Sequence, residues 1–256
     1  MCKGLFILDF DDGQGIIDPA WDQPEDHVPE RLLYAFVPEE DIEHFVGGIP
    51  HRVLGRFDTV AFKPLVYEVD IDGFKLTLCQ APLGAPAATQ LLDWLIAHGA
   101  HNILAIGTAG VIRDLPENKL LLPVKALRDE GTSFHYAPAN QFIRLDSKYL
   151  DHIKGALASL GINFQEVTTW TTDGFFRETP QKIAAAKRLG ASTVEMECAA
   201  LAACAKYRHV NFAQLLFSAD SLAAVQAHDT RTWGRVSHSL SLRIGCAVLT
   251  AMSEMS

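Results

Sequence analysis

Positive charge is scarce in this sequence: 22 Lys and Arg stand against 31 Asp and Glu in 256 residues, a formal net charge of -9. Nucleic acid and anionic membranes both require a basic face, so neither is an expected partner. Cysteine is sparse as well. Cys2, Cys79, Cys198, Cys204 and Cys246 are odd in number, scattered and never spaced as CxxC, which argues against a disulfide framework and for a reduced, cytoplasmic setting. His98, His101, His209 and His238 lack the spacing of metal ligands, so no metal is expected. No run approaches the 18 or so apolar residues of a membrane span. The first residues carry Asp9, Asp11, Asp12 and Asp18 instead of a basic start before an apolar stretch, so the expectation is a soluble, unexported protein. Neither GxGxxG nor GxxxxGK[ST] occurs, which removes the dinucleotide and P-loop nucleotide readings.

What is present suffices for one large core: 48% of the chain is hydrophobic, at a length near the upper limit of a single domain. Residues 1–30, with DFDDGQG and DQPEDHVPE, follow neither helical nor alternating periodicity and read as an irregular N-terminal extension; one folded domain is expected over 31–256. RLLYAFV from Arg31 reads as a strand, and PEEDIEHFV as a helix opened by Pro38 and stopped by Gly47-Gly48. LVYEVDI and FKLTLCQA flank Asp72-Gly73, the signal of a two-residue hairpin. Pro86–His98 repeats apolar residues at 88, 91, 92, 95 and 96 before Gly99, an amphipathic helix. Asn102–Ile106 is a short apolar strand running into a glycine turn, Gly107-Thr-Ala-Gly110. A helix over Pro180–Leu189, a strand over Thr193–Glu195, a helix over Cys198–Tyr207, a strand over Phe212–Phe217 and a final helix from about Thr232 to Met252 continue the alternation. The pattern predicts a three-layer α/β/α domain around a central mixed sheet.

Within that frame the most informative run is Thr193-Val-Glu-Met-Glu-Cys-Ala-Ala-Leu201, where Glu195 and Glu197 interrupt residues that are otherwise apolar or small. A buried carboxylate needs compensation. Solvent, a cation or ligand hydroxyls would each serve, and the last makes this a sugar site. The glycines of Gly107–Gly110 allow close approach to a ligand, with the Thr108 hydroxyl and the backbone amides suited to an anion; a tight turn explains two glycines equally well. Arg128-Asp-Glu-Gly-Thr-Ser-Phe-His-Tyr136 mixes polar and aromatic groups as a pocket for a heteroaromatic ring and sugar would, or as a solvated loop would. In Thr171-Thr-Asp-Gly-Phe-Phe-Arg-Glu178, Phe175 or Phe176 has a face to stack on a base and Arg177 has donors for a carbonyl; a capped loop with one phenylalanine in the core is the plainer alternative. Asp220, in Phe217-Ser-Ala-Asp-Ser-Leu222, stands at a strand end where open α/β sheets carry their chemistry. It would serve there as a proton donor to a leaving nitrogen or as a turn cap.

In their order and intervals, AIGTAGVI, RDEGTSFHYAP, TTDGFFRET, VEMECAAL and FSADSL make the chain resemble the nucleoside phosphorylase family. That family includes uridine phosphorylases, hexameric purine nucleoside phosphorylases and methylthioadenosine/adenosylhomocysteine nucleosidases. Five motifs in register, over roughly residues 60–250, are far more specific than one. The resemblance implies the nucleoside phosphorylase-like α/β fold and cleavage of the N-glycosidic bond of a purine or pyrimidine nucleoside. Phosphate is the acceptor in the phosphorylases, giving free base and ribose 1-phosphate, and water is the acceptor in the nucleosidases. A member that kept the sugar site and lost the acceptor site would bind without cleaving. By residue, the resemblance implies Met196 and Glu197 on the ribose, Glu197 accepting from the 2′-hydroxyl, with Glu195 beside them. It implies Gly107 and Thr108 on phosphate, Phe175, Phe176 and Arg177 on the base, and Asp220 as the acid that protonates a purine. No cofactor is implied beyond phosphate as co-substrate, and the partners implied are the small-molecule substrates and further copies of the chain, as a dimer or hexamer.

Departures from the family pattern concern the acceptor. Bacterial uridine and purine phosphorylases carry an N-terminal Gly-Asp-Pro-Asp-Arg element whose glycine and arginine bind phosphate; here Val37-Pro-Glu-Glu-Asp-Ile42 stands in the comparable place. A second phosphate arginine is replaced by Ala105. Charge-assisted contacts are the strong ones, and Lys63, with Arg52 and Arg56, is the candidate substitute. The nucleosidases have an acidic run at this place whose last carboxylate helps activate water, and Asp41 is the matching position. Pro38–Asp41 is equally an acidic helix start favoured by the dipole. Phosphorolysis is the expected reaction, with hydrolysis as the alternative.

Overall fold

From Arg31 onward strands, most of them apolar, alternate with short amphipathic helices. The computed structural model describes residues 9–21 and 27–252, so Cys2 lies outside the described residues. Along the chain run β1 (Arg31–Ala35), α1 (Glu39–Val46), β2 (His51–Arg56), β3 (Leu65–Ile71), β4 (Phe74–Gln80), α2 (Ala85–Ala97), β5 (Asn102–Val111), β6 (Leu120–Asp129), β7 (Phe142–Arg144), α3 (Ser147–Ser159), β8 (Gln165–Thr172), α4 (Pro180–Arg188), β9 (Thr193–Glu195), α5 (Cys198–Tyr207), β10 (Asn211–Ser221) and α6 (His238–Ala251). Residues 9–21 and 27–30 carry neither helix nor strand. Among the described residues no helix is long and apolar enough to cross a membrane.

Several elements follow directly from local chemistry. Ile71 pairs with Phe74 across the β3–β4 hairpin, and Asp72 and Gly73 take φ of 54° and 89°, the doubly positive turn that suits the twist of a hairpin. Pro86 sits in the first turn of α2, where its missing N–H costs nothing. His98 caps that helix, and Gly99 follows at φ 123°. Thr179 caps α4 by accepting from the Lys182 amide.

The strands form one mixed sheet in the order β10-β6-β8-β9-β5-β1-β4-β3-β2, with β7 on β6. Because β10 pairs with both β5 and β6, the first five strands of that order close on themselves. Strands β1 and β5 are parallel and lie between neighbours, so both faces are covered and they read as near-continuous apolar runs; Leu32, Leu33, Ile103 and Leu104 are fully buried. The helices fall into two groups against the sheet, α2 with α5, and α6 with α1 and α3. In α6, Gly245 packs directly on Leu33 of β1, and a Cβ added there would collide with the leucine side chain. Overpacking of this kind costs about 1–3 kcal/mol. Gly245→Ala is therefore expected to lower the urea midpoint at unchanged m-value, and an unchanged midpoint would refute the close packing.

Two expectations are corrected. Gly107–Gly110 is not a turn but the second half of β5, which runs unbroken to Val111. Its glycines answer to packing: a Cβ on Gly107 would lie 2.9 Å from that of Phe36, and one on Gly110 would lie 3.1 Å from Val194 and 3.2 Å from Asp220. The final helix does not start near Thr232. Arg231, Thr232, Trp233 and Gly234 all take positive φ, of 40°, 57°, 56° and 72°, a left-handed stretch that no right-handed helix can include, and α6 begins at His238. The strand expected over Phe212–Phe217 continues to Ser221, which brings Asp220 inside β10.

Candidate active site

The site originates in a split of the sheet. Along β5, β1 is the neighbour on one edge up to Ile106, whose carbonyl accepts the last bond from Phe36. On that same edge β9 takes over only at Gly110, opposite Val194. Between them Gly107, Thr108 and Ala109 keep β10 as partner on the other edge. A cavity of about 360 Å³ opens at this gap, and Thr108, Ala109 and Gly110 line it together with Glu195, Met196, Glu197 and Asp220. Residues singled out by three distant motifs thus meet in one place.

Glu195 and Glu197 are both buried but have different tasks. Oε1 of Glu195 accepts from the hydroxyls of Thr171 (2.6 Å) and Thr169 (3.3 Å), and Oε2 accepts from the amides of Glu197 (2.8 Å) and Cys198 (2.6 Å). Thr171 itself accepts from the Ala199 amide, and burial pushes the Glu195 carboxyl up while the hydrogen bonds from Thr171, Cys198, Glu197 and Thr169 oppose the shift. This group compensates the otherwise unpaired donors at the start of α5. Glu197 Oε1 accepts from the amide of Gly84 at 2.6 Å, just before α2, where φ of 94° suits glycine. Burial, and after it the charge of Glu195, push the Glu197 carboxyl up, while backbone hydrogen bonds from Gly84 and Met196 oppose the shift. A hydroxyl donated by a ligand would further favour the ionised form.

In the same cavity Asp220 sits on a β-bulge. Between Ser218 and Ser221, β10 spends one residue more than β5, and such an insertion re-aims a side chain. Oδ2 of Asp220 is 2.8 Å from Nε2 of His228. The left-handed stretch brings Trp233 to the same cavity, 5.2 Å from the His228 ring and 6.2 Å from Phe175. It closes tightly, because a Cβ on Gly234 would lie 2.6 Å from the Thr108 methyl. Phe175, Phe176, Glu178 and Trp233 complete the lining. Burial first, then the charge of Asp220, push Glu178 up to about 7.

Of the residues expected from the sequence, Thr108, Phe175, Phe176, Glu195, Met196, Glu197 and Asp220 line this cavity. Gly107, Arg177, Lys63 and Asp41 do not. Arg177 closes a short 3-10 turn through its amide to the Gly174 carbonyl, with its side chain in solvent. Lys63 stands 3.7 Å from Asp58, while Arg56 pairs with Asp58 and Arg52 with Glu68, all on the surface. Asp41 lies 3.0 Å from Nδ1 of His238, and His238 lines a second cavity, of about 570 Å³, that shares Leu83 with the first. The RDEGTSFHYAP segment is elsewhere: Arg128 is consumed by its own loop, donating to Ser133 Oγ and to the carbonyls of Ala137 and Pro138. Glu178, His228 and Trp233 are missing from the sequence reading. Glu178 carried a weak signal, as a charge two residues after a pair of phenylalanines; the other two carried none, since their approach depends on backbone dihedrals.

The model of the Phosphorylase superfamily matches residues 45–242. Among curated relatives, a guanosine phosphorylase of Halorubrum lacusprofundi is 24% identical over 142 residues, which span 55% of this chain and 59% of that protein. A uridine phosphorylase of Treponema pallidum is 27% identical over 186 residues, 62% of this chain and 72% of that one. Of the solved structures, the purine nucleoside phosphorylase from Toxoplasma gondii in complex with immucillin-H superposes with a TM-score of 0.74 at 15% identity, covering 90% of this chain and 92% of that one. An AMP nucleosidase from Bacteroides thetaiotaomicron gives 0.69 at 20% identity, with 88% and 90% covered. At such identities these structures show a common fold. With a match that runs from residue 45 to residue 242 of 256, the chain belongs to the Phosphorylase superfamily.

Proposed function

We propose that the protein cleaves the N-glycosidic bond of a nucleoside with phosphate as acceptor, releasing the base and ribose 1-phosphate. One observation carries the reading: a single cavity brings together the buried carboxylate Glu197 and, from a different strand, Asp220 with its partner His228 beside an aromatic rim. Glu197 would accept from the ribose 2′-hydroxyl. As the bond to the base lengthens, C1′ and the ring oxygen gain positive charge, and two carboxylates fixed in a low-dielectric site stabilise it. The electron pair leaves with the base nitrogen, which takes up the proton held between Asp220 and His228. Phe175 and Trp233, in contact with each other, offer the ring an aromatic face. The Thr108 hydroxyl makes no hydrogen bond among the described residues and would hold the acceptor. The named relatives, phosphorylases of guanosine and uridine, support this choice.

Hydrolysis is the second reading, and one observation favours it. Neither Lys nor Arg lines the cavity or its neighbour, whereas the Asp41–His238 pair borders the neighbour and could orient water. Base release from inosine, adenosine and uridine, followed with and without phosphate, separates the two. Phosphate-dependent release together with ribose 1-phosphate is expected; equal rates in both arms favour water, and no release from any substrate refutes glycosidic cleavage. The reading includes a homo-oligomer, testable by sedimentation, and a reducing cytoplasmic setting, in keeping with Cys79, Cys198, Cys204 and Cys246, which are buried and free.

A further inference from the structure

Apart from the Thr108 hydroxyl and the Trp233 indole, every polar side chain lining the cavity is a carboxyl: Glu178, Glu195, Glu197 and Asp220. Glu195 is saturated by four donors, Glu197 is tied to Gly84 near the sugar position, and Asp220 is bonded to His228. Glu178 alone is uncommitted, with no hydrogen bond or ion pair among the described residues. It is half-buried, lines the cavity with Phe175, Phe176 and Asp220, and is close enough to Asp220 and His228 to feel their charges.

We propose that Glu178 selects the base through its proton, favouring a 6-oxopurine nucleoside when protonated and a 6-aminopurine nucleoside when ionised. This rests on the nucleoside-cleaving reading above. Asp220 serves the imidazole nitrogen of a purine, and the neighbouring carboxyl then faces the substituent at C6. A neutral carboxyl donates to an exocyclic carbonyl, and an ionised one only accepts, as an exocyclic amino group requires. The wrong pairing sets two acceptors, or two donors, against each other in a site that excludes water, and an unmade bond there is costly. The groups that face Glu178 are Asp220, whose charge holds the proton on, and His228, which opposes it; with burial as the largest cause they put Glu178 at about 7. Glu195 and Glu197 belong to the sugar site. Selection is therefore poised to change across neutrality.

The test is kcat/KM for inosine and adenosine from about pH 6 to about pH 8, a range in which neither substrate titrates, on the wild type and E178Q and with the acceptor identified above. In the wild type the inosine-to-adenosine ratio is expected to fall about tenfold as the pH rises and the proton leaves. In E178Q, whose amide donates and accepts at every pH, the ratio is expected to be flat. A flat wild-type ratio, the same slope in E178Q, or cleavage of uridine alone overturns the assignment and leaves glycosidic cleavage standing. Failure to cleave any nucleoside overturns both.

Discussion

Glu197→Gln is expected to lower kcat/KM for whichever nucleoside the protein cleaves by about 10²–10³-fold, the scale on which a single preorganised electrostatic contact acts. The amide keeps an oxygen to accept from Gly84, so the turn before α2 is retained and the fold is not the variable. What disappears is the negative charge that meets the oxocarbenium character of the sugar, and the loss belongs in kcat more than in KM, because that charge develops mainly in the transition state. Steady-state kinetics beside an unchanged thermal midpoint would establish this. Activity within a factor of a few of wild type would show that the sugar is held elsewhere.

Glu195→Ala is expected to act on stability instead, lowering the free energy of unfolding by about 3–5 kcal/mol. Two of its four donors are backbone amides, of Glu197 and Cys198, that cannot turn away. Each buried donor left without a partner costs about 1–3 kcal/mol, and the hydroxyls of Thr169 and Thr171 lose an acceptor as well. A loss of that size is a large part of the ordinary stability of a domain. Urea denaturation reads it directly, with Glu195→Gln as an intermediate that keeps one acceptor oxygen. A loss below about 1 kcal/mol for the alanine variant would mean that the carboxylate is not what secures the start of α5.

The two glutamates show where sequence reasoning succeeds and where it stops. Carboxylates inside an apolar run are anomalous by burial alone, so their importance was evident from VEMEC. Their division of labour was not, because it depends on Thr169 and Thr171 in β8, which the sheet brings alongside. The Asp72-Gly73 hairpin, α2 and α5 were readable from local rules that tertiary packing did not override. Gly107–Gly110 misled because glycine serves close packing as well as turning, and only the positions of Phe36, Val194 and Asp220 decide which. The start of the last helix misled because Thr232, Trp233 and Arg235 are compatible with a helix, while the left-handed dihedrals that put Trp233 over the cavity go with a close approach of Gly234 to Thr108 and Ala219. Lys63 and Asp41 were reasonable by charge, yet each has a local partner away from the glutamate cavity.

The gap in β5 sets the size of what can enter. Between the last bond to β1 at Ile106 and the first pairing with β9 at Gly110 lie three residues, and the four steps from one position to the other, at about 3.3 Å each, hold the two flanking strands roughly 13 Å apart. That span is an attribute of backbone counting, independent of which side chains surround it. Side chains on either bank can be exchanged, altering the base chosen or the acceptor used, while the width of the mouth stays the same. A fold shared at 15–20% identity with proteins that differ in substrate is the outcome to be expected when aperture and chemistry are encoded separately.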